Sequence, residues 1–160
     1  MSDTRRWQWF LLAGLVLLLD QLSKYWISAN FYYGERMPVT DFFNLVLVHN
    51  TGAAFSFLSD AGGWQRWFFA LLAGGVSIFL AAWIFRLPSE KKMLGAGLAL
   101  VLGGALGNLW DRLAHGYVVD FLDFYLGQNH WPAFNIADSA ITVGVILLLV
   151  ETFLAESTSE

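Results

Sequence analysis

The sequence predicts an all-α membrane protein of four transmembrane helices, on three observations. Of 160 residues, 57% are hydrophobic and only 14% charged, where a soluble domain carries about a quarter charged residues. Four apolar stretches are each long enough to cross a bilayer, which takes roughly 20 residues at a rise of 1.5 Å. Lys and Arg are spread unevenly over the connections between them. With a mean hydropathy of +0.54 there is too little polar surface to cover a soluble globule, and lipid takes the place of water around most of the chain.

The stretches fall at about 7–28, 67–85, 93–113 and 136–154, within one integral membrane domain covering 1–160. Arg5 and Arg6 precede the first, as in a signal peptide. That stretch runs to about Ile27 without a small-residue cleavage site, so it reads as a retained helix. The third is weakened as a helix in water by Gly95, Gly97, Gly103, Gly104 and Gly107. In lipid the same small residues let helices approach closely.

Arg5, Arg6, Arg86, Lys91 and Lys92 fall on one side of the membrane, and only Arg36 and Arg66 in or beside the first connection. The bias puts both termini in the cytoplasm. Trp7, Trp9, Trp26, Trp67, Trp83, Trp110 and Trp131 lie near span ends, as an interfacial belt does. The first outward connection, about 29–66, is too long for a turn. Within it 42–49 (FFNLVLVH) reads as a strand and about 60–69 as a short interfacial helix. The second outward connection, about 114–135, sets polar groups beside two apolar helices.

Several chemistries are excluded. There is no cysteine, hence no disulfide or thiolate site. His49, His115 and His130 lack metal-ligand spacing, and neither H-E-x-x-H nor G-x-S-x-G occurs. Ser23 and Lys24 are adjacent on a helix and do not face each other as a dyad. The net charge of −4 and the absence of a basic stripe argue against nucleic acid.

Ionisable groups at membrane depth are costly unless paired or facing a polar cavity. Here Asp20, Lys24, Asn108, Asp111, Arg112, Asp120, Asp123, Asn135 and Asp138 gather toward the outward ends of the spans. Asp20 and Lys24, four apart, read as a neutralising helical pair, and Arg112 with Asp111 or a neighbouring acid as structural. Asp120 and Asp138 are eighteen residues apart across a helix–loop–helix return that can bring both carboxylates together. Two such groups share one proton, and one serves as general base on water while the other acts as general acid. Asp138 can equally cap the fourth span, and Asp120 can equally be a solvated loop residue. Asp123 competes with Asp120, and periodicity does not choose between them.

The ordered motifs D-Q-L-S-K (20–24), N-T-G-A-A-F (50–55), G-N-L-W-D-R (107–112), V-V-D-F (118–121) and F-N-I-A-D-S (134–139) resemble the lipoprotein signal peptidase family, also called signal peptidase II. The likeness runs from span one to span four. It implies an outward β-cradle with a short interfacial helix, and Asp120 and Asp138 as catalytic aspartates. It also implies that Asp20, Asn50, Asn108, Arg112 and Asn135 line or support the site. The implied protein is a multi-pass enzyme of the bacterial cytoplasmic (inner) membrane with its site near the outer face. It needs no metal or other cofactor, and globomycin inhibits it. The implied substrates are diacylglyceryl-modified prolipoproteins met in membrane lipid and cut just before the lipidated cysteine. The rival expectation is a small proton-coupled transporter using Asp20, Asp120 and Asp138 as a relay.

Overall fold

A computed structural model describes residues 4–52, 62–88 and 90–157. The elements run α1 (Thr4–Asn30), β1 (Arg36–Thr40), β2 (Phe43–Asn50), α2 (Trp64–Arg86), α3 (Lys92–Ala114), β3 (Val118–Leu126), β4 (Asn129–His130) and α4 (Ile136–Ser157). Four helices are long and apolar enough to cross a membrane, over Arg6–Asn30, Trp64–Arg86, Lys92–Ala114 and Ile136–Leu154. The fourth predicted span, 136–154, coincides with its helical stretch, and the first three lie inside theirs with ends one to three residues short.

Helix α3 is the centre of the bundle and packs against α4, α1 and α2. Its glycines explain why. A side chain at Gly103 would meet the carbonyl oxygen of Ala13 on α1, and one at Gly104 that of Ala137 on α4. Close backbone approach on two faces is what small residues contribute where lipid removes the hydrophobic drive between helices. Ala13, Leu80, Ile84, Leu98 and Leu102 fill the space between α1, α2 and α3. Leu11, Leu71, Ile78 and Phe153 stand outward from the bundle, as lipid-facing residues do.

The four strands pair antiparallel in the order β1-β2-β3-β4 and close over one end of the bundle. The strand predicted at 42–49 is β2. Strand β3 went unread from its polar loop setting, although V-V-D-F-L-D-F-Y-L carries the β-branched and aromatic residues of a strand. Ile27, Leu47, Val119 and Phe121 bury together where the end of α1 meets β2 and β3. Pro38, which has no N–H to give to a ladder, lies on the edge strand β1. The short helix expected over about 60–69 is corrected in its described part. Residues 64–69 are the first turns of α2 itself, while Asp60 and Ala61 lie outside the described residues.

Candidate active site

The site is built where the C-terminal halves of α1 and α3, the start of α4 and strands β2 and β3 converge. Its lower layer is a buried ionic cluster. Lys24 Nζ lies 2.7 Å from Asp20 Oδ2 and 2.9 Å from Asp111 Oδ2, and donates to Asn108 Oδ1 at 3.1 Å. Gln21 Nε2 adds hydrogen bonds to Asp111 Oδ1 (2.8 Å) and Asp20 Oδ2 (3.2 Å). The acids in turn hold backbone. Asp20 Oδ1 accepts from the N–H of Ala137 at 2.9 Å, and Asp111 Oδ2 from that of Val119 at 3.1 Å. Charges with no water around them are tolerated only when paired and hydrogen-bonded in this way. The cluster thereby ties α1 and α3 to the first turn of α4 and the first residues of β3.

The Asp20–Lys24 pair is thus present as the sequence predicts, and Lys24 recruits Asp111 as well. Arg112, read as a partner of Asp111 or a neighbouring acid, bonds carbonyls instead. Its Nη2 donates to Gly52 O at 2.8 Å and its Nη1 to Asn108 O at 3.2 Å, with the guanidinium 5.4 Å over the Phe69 ring. Gln21 and Arg66 were not singled out in the sequence. Arg66 donates to the carbonyls of Arg112 (2.7 Å) and Leu113 (2.8 Å), capping α3 and fastening α2 to it.

The upper layer holds the two aspartates. Sheet register delivers Asp120: it pairs with Val48, and Asn50 pairs with Val118. Asn50 and Asp120 are therefore diagonal neighbours on one face of the sheet, and Asn50 Nδ2 donates to Asp120 Oδ2 at 3.0 Å. Asn135 Nδ2 donates to the other oxygen, Oδ1, at 2.7 Å. Both amides are oriented by a backbone donor on their own oxygen. The N–H of Gly52 reaches Asn50 Oδ1 at 3.0 Å, and that of Asp138 reaches Asn135 Oδ1 at 2.9 Å.

The bond from the Asp138 N–H makes Asn135 the side-chain cap of α4. The alternative reading of Asp138 as the cap is corrected accordingly. Asp138 is the third residue of the helix, and its carboxylate is left for other work. Asn108 Nδ2 donates to Asp138 Oδ1 at 2.8 Å. Asp120 and Asp138 line one cavity of about 570 Å³, with Asn50, Asn108 and Arg112 beside them and Trp131–Phe134, Ile141 and Val143 as a largely apolar wall. Burial, and then the neighbouring Asp138, push the Asp120 carboxyl up to about 7, against the opposing hydrogen bonds from Asn50 and Asn135.

Asp123 is held elsewhere. An extended strand alternates its faces, so a residue three positions from Asp120 points the other way. Asp123 accepts from Asn44 Nδ2 at 3.0 Å and lies 2.8 Å from His130 Nδ1. His49 and His115 flank Tyr117 on a third surface. His49 and His115 thus share one aromatic cluster, and His130 stands apart from it on Asp123. Among the described part of N-T-G-A-A-F, Asn50 and Gly52 join the site through Asp120 and Arg112, while 53–55 lie outside the described residues.

Fold and site together define a polytopic membrane protein with a buried aspartate, Asp120, and a half-buried one, Asp138, in a cavity at one end of its bundle. Residues 12–154 match the family described as signal peptidase (SPase) II. The lipoprotein signal peptidase of Shewanella pealeana is 55% identical over 150 residues, covering 94% of this chain and 87% of the relative. That of Acinetobacter baumannii is 55% identical over 148 residues, covering 92% of this chain and 84% of the relative. A bacterial membrane enzyme solved by the in meso method superposes with a TM-score of 0.86 at 32% identity, covering 96% of this chain and 92% of that one. The chain belongs to the signal peptidase II family. The transporter alternative finds no support in that membership.

Proposed function

We propose that this chain is a membrane aspartic endopeptidase that removes signal peptides from diacylglyceryl-modified prolipoproteins. The observation that carries the reading is the shared cavity of Asp120 and Asp138, each carboxylate held by side-chain amides rather than by a cation. Neutral donors orient a carboxylate without removing its basicity, which a bound Lys or Arg would do.

With one proton between them, the charged aspartate takes a proton from water as that oxygen adds to the scissile carbonyl. The protonated aspartate gives its proton to the carbonyl oxygen. Collapse of the tetrahedral diol breaks the C–N bond: the amine leaves with a proton from the pair, and one diol hydroxyl gives its proton back to the pair as the carboxyl forms. Water is consumed, one acid and one amine form, and the pair is restored. No metal or covalent intermediate is required.

Ile141 and Val143 on α4 give the cavity an apolar wall beyond Asp138. It suits a signal helix and lipid chains that stay in the bilayer while the cut is made beside the lipidated cysteine. Globomycin-type inhibitors would compete for the same cavity. The Lys and Arg distribution supports both termini in the cytoplasm and the sheet end at the outer face of the bacterial inner membrane.

The test is cleavage of a diacylglyceryl prolipoprotein by purified wild type, Asp120→Asn and Asp138→Asn. Both variants should fold and lose about 10³-fold or more in kcat, the scale of acid–base assistance. Near wild-type activity in either variant removes that residue from the chemistry.

A further inference from the structure

Lys24 lies in the lower layer, takes no part in the proton transfers above, and yet reaches the pair through a single side chain. It is 3% exposed and touches three acceptors: Asp20, Asp111 and Asn108. An ammonium has three N–H donors and no acceptor. An amide, by contrast, has a donor end and an acceptor end of nearly the same shape. Beside Lys24 the Asn108 amide therefore has one stable orientation, with Oδ1 toward the ammonium and Nδ2 away from it. The second donor on Oδ1, Asn135 Nδ2 at 3.3 Å, reinforces that choice. Nδ2 is then aimed at Asp138 Oδ1, 2.8 Å away.

We propose that Lys24 is a positioning residue for the peptidase reaction: through Asn108 it commits Asp138 Oδ1 to accepting an N–H and leaves Oδ2 as the oxygen through which Asp138 exchanges its proton. The inference rests on the aspartic peptidase reading above. With the amide reversed, Asn108 Oδ1 would face Asp138 Oδ1. Two acceptors in contact demand a proton between them, which would move the exchangeable proton from Oδ2 to Oδ1. The orientation of one amide thus decides the direction in which the acid works. The charged groups around this relay are Asp20 on α1, Asp111 and Arg112 on α3, and Asp120 on β3. None of them bonds the Asn108 side-chain amide, Arg112 reaching only its backbone carbonyl, so none of these charged groups replaces Lys24 in this role among the described residues.

The experiment uses the full chain in detergent with a diacylglyceryl prolipoprotein. Removing Lys24 alone would leave Asp20 and Asp111 unbalanced, so Lys24→Gln is combined with Asp111→Asn, which keeps the cluster at one net negative charge. Gln accepts as readily as it donates and no longer dictates the Asn108 orientation. The expected result is a folded enzyme whose KM stays near wild type and whose kcat falls about 10- to 100-fold, the scale of a small misplacement at a reacting group. The kcat–pH profile should also move to higher pH, because a carbonyl facing Asp138 favours its protonated form. Wild-type kcat, or a lower kcat on an unmoved pH profile, overturns the proposal.

If the double variant does not fold, Asn108→Asp decides. The new carboxyl donates to Asp138 only when protonated, so its activity profile should be displaced to lower pH, and a wild-type profile overturns the proposal. Asp120→Asn and Asp138→Asn are run in parallel. If these also cleave, the aspartic reading itself fails. If they are inactive while the Lys24 variant matches wild type, only the positioning role fails.

Discussion

The Nδ2 of Asn135 lies 2.7 Å from Oδ1 of Asp120, while its Oδ1 takes the backbone N–H of Asp138 at 2.9 Å. One side chain therefore orients a strand carboxylate and caps the helix that presents the other. The two functions separate by chemistry, since the cap needs only an acceptor and the Asp120 contact needs a donor at amide reach.

Asn135→Ala should lose both, with a stability loss of about 1–3 kcal/mol from the missing cap and the unpaired buried groups. Its kcat should fall about 100-fold, as expected when a reacting group is misplaced. Asn135→Ser should recover much of the stability, because serine caps well, without recovering kcat. Thermal melts alongside steady-state kinetics check the split.

The raised Asp120 carboxyl gives a pH dependence of stability. Its folded value of about 7 stands above the ordinary value of 3.8. Between those values the folded state holds a proton that the unfolded state has released, so stability falls as pH rises through that window. The scale is about 1.4 kcal/mol for each pKa unit. Asp120→Asn cannot titrate, so its melting temperature should change less between pH 4 and 7 (roughly the window set by linkage) than that of wild type. Parallel slopes for the two proteins would show that Asp120 does not carry this dependence.

Asp123→Asn separates the two neighbouring acids. It keeps a carbonyl for Asn44 and lies off the cavity, so kcat should stay near wild type while stability drops by about 1 kcal/mol for a weakened buried hydrogen bond. A large loss of kcat at wild-type KM would move Asp123 into the chemistry.

Gly107→Ala tests the support layer. A Cβ there would sit 2.5 Å from Asp20 Oδ2. It should displace the carboxylate from the Ala137 N–H and cost about 1–3 kcal/mol, the range for overpacking a tight site. The variant should melt lower and cleave more slowly, and unaltered melting would mean that Asp20 has room to yield.

Much of this was legible in order along the chain. The four spans follow from length and hydropathy, which bilayer thickness turns into geometry. The pairing of Asp20 with Lys24 follows from the helical repeat, which places residues four apart on one face. Five ordered motifs were enough to mark the family through their resemblance to it, since each joins polar residues in a fixed order along an otherwise apolar chain. Strand β3 was less legible. Its run of Val, Phe, Leu and Tyr is interrupted by Asp120 and Asp123, and those acids read as loop polarity until β2 lies beside them.

What the sequence determined by itself was the medium, the number of spans and the set of polar residues that had to be satisfied inside it. Local periodicity and transfer free energy decide these without knowledge of long-range contacts. Only the tertiary structure decided which polar group meets which. Asp120 rather than Asp123 faces the cavity because of the β2–β3 register. Asp138 is free of capping because Asn135 takes that role, and Lys24 reaches Asp138 because Asn108 stands between them. These are pairings between distant parts of the chain, and their physical cause is that every buried donor and acceptor in a dry interior must find its partner at once.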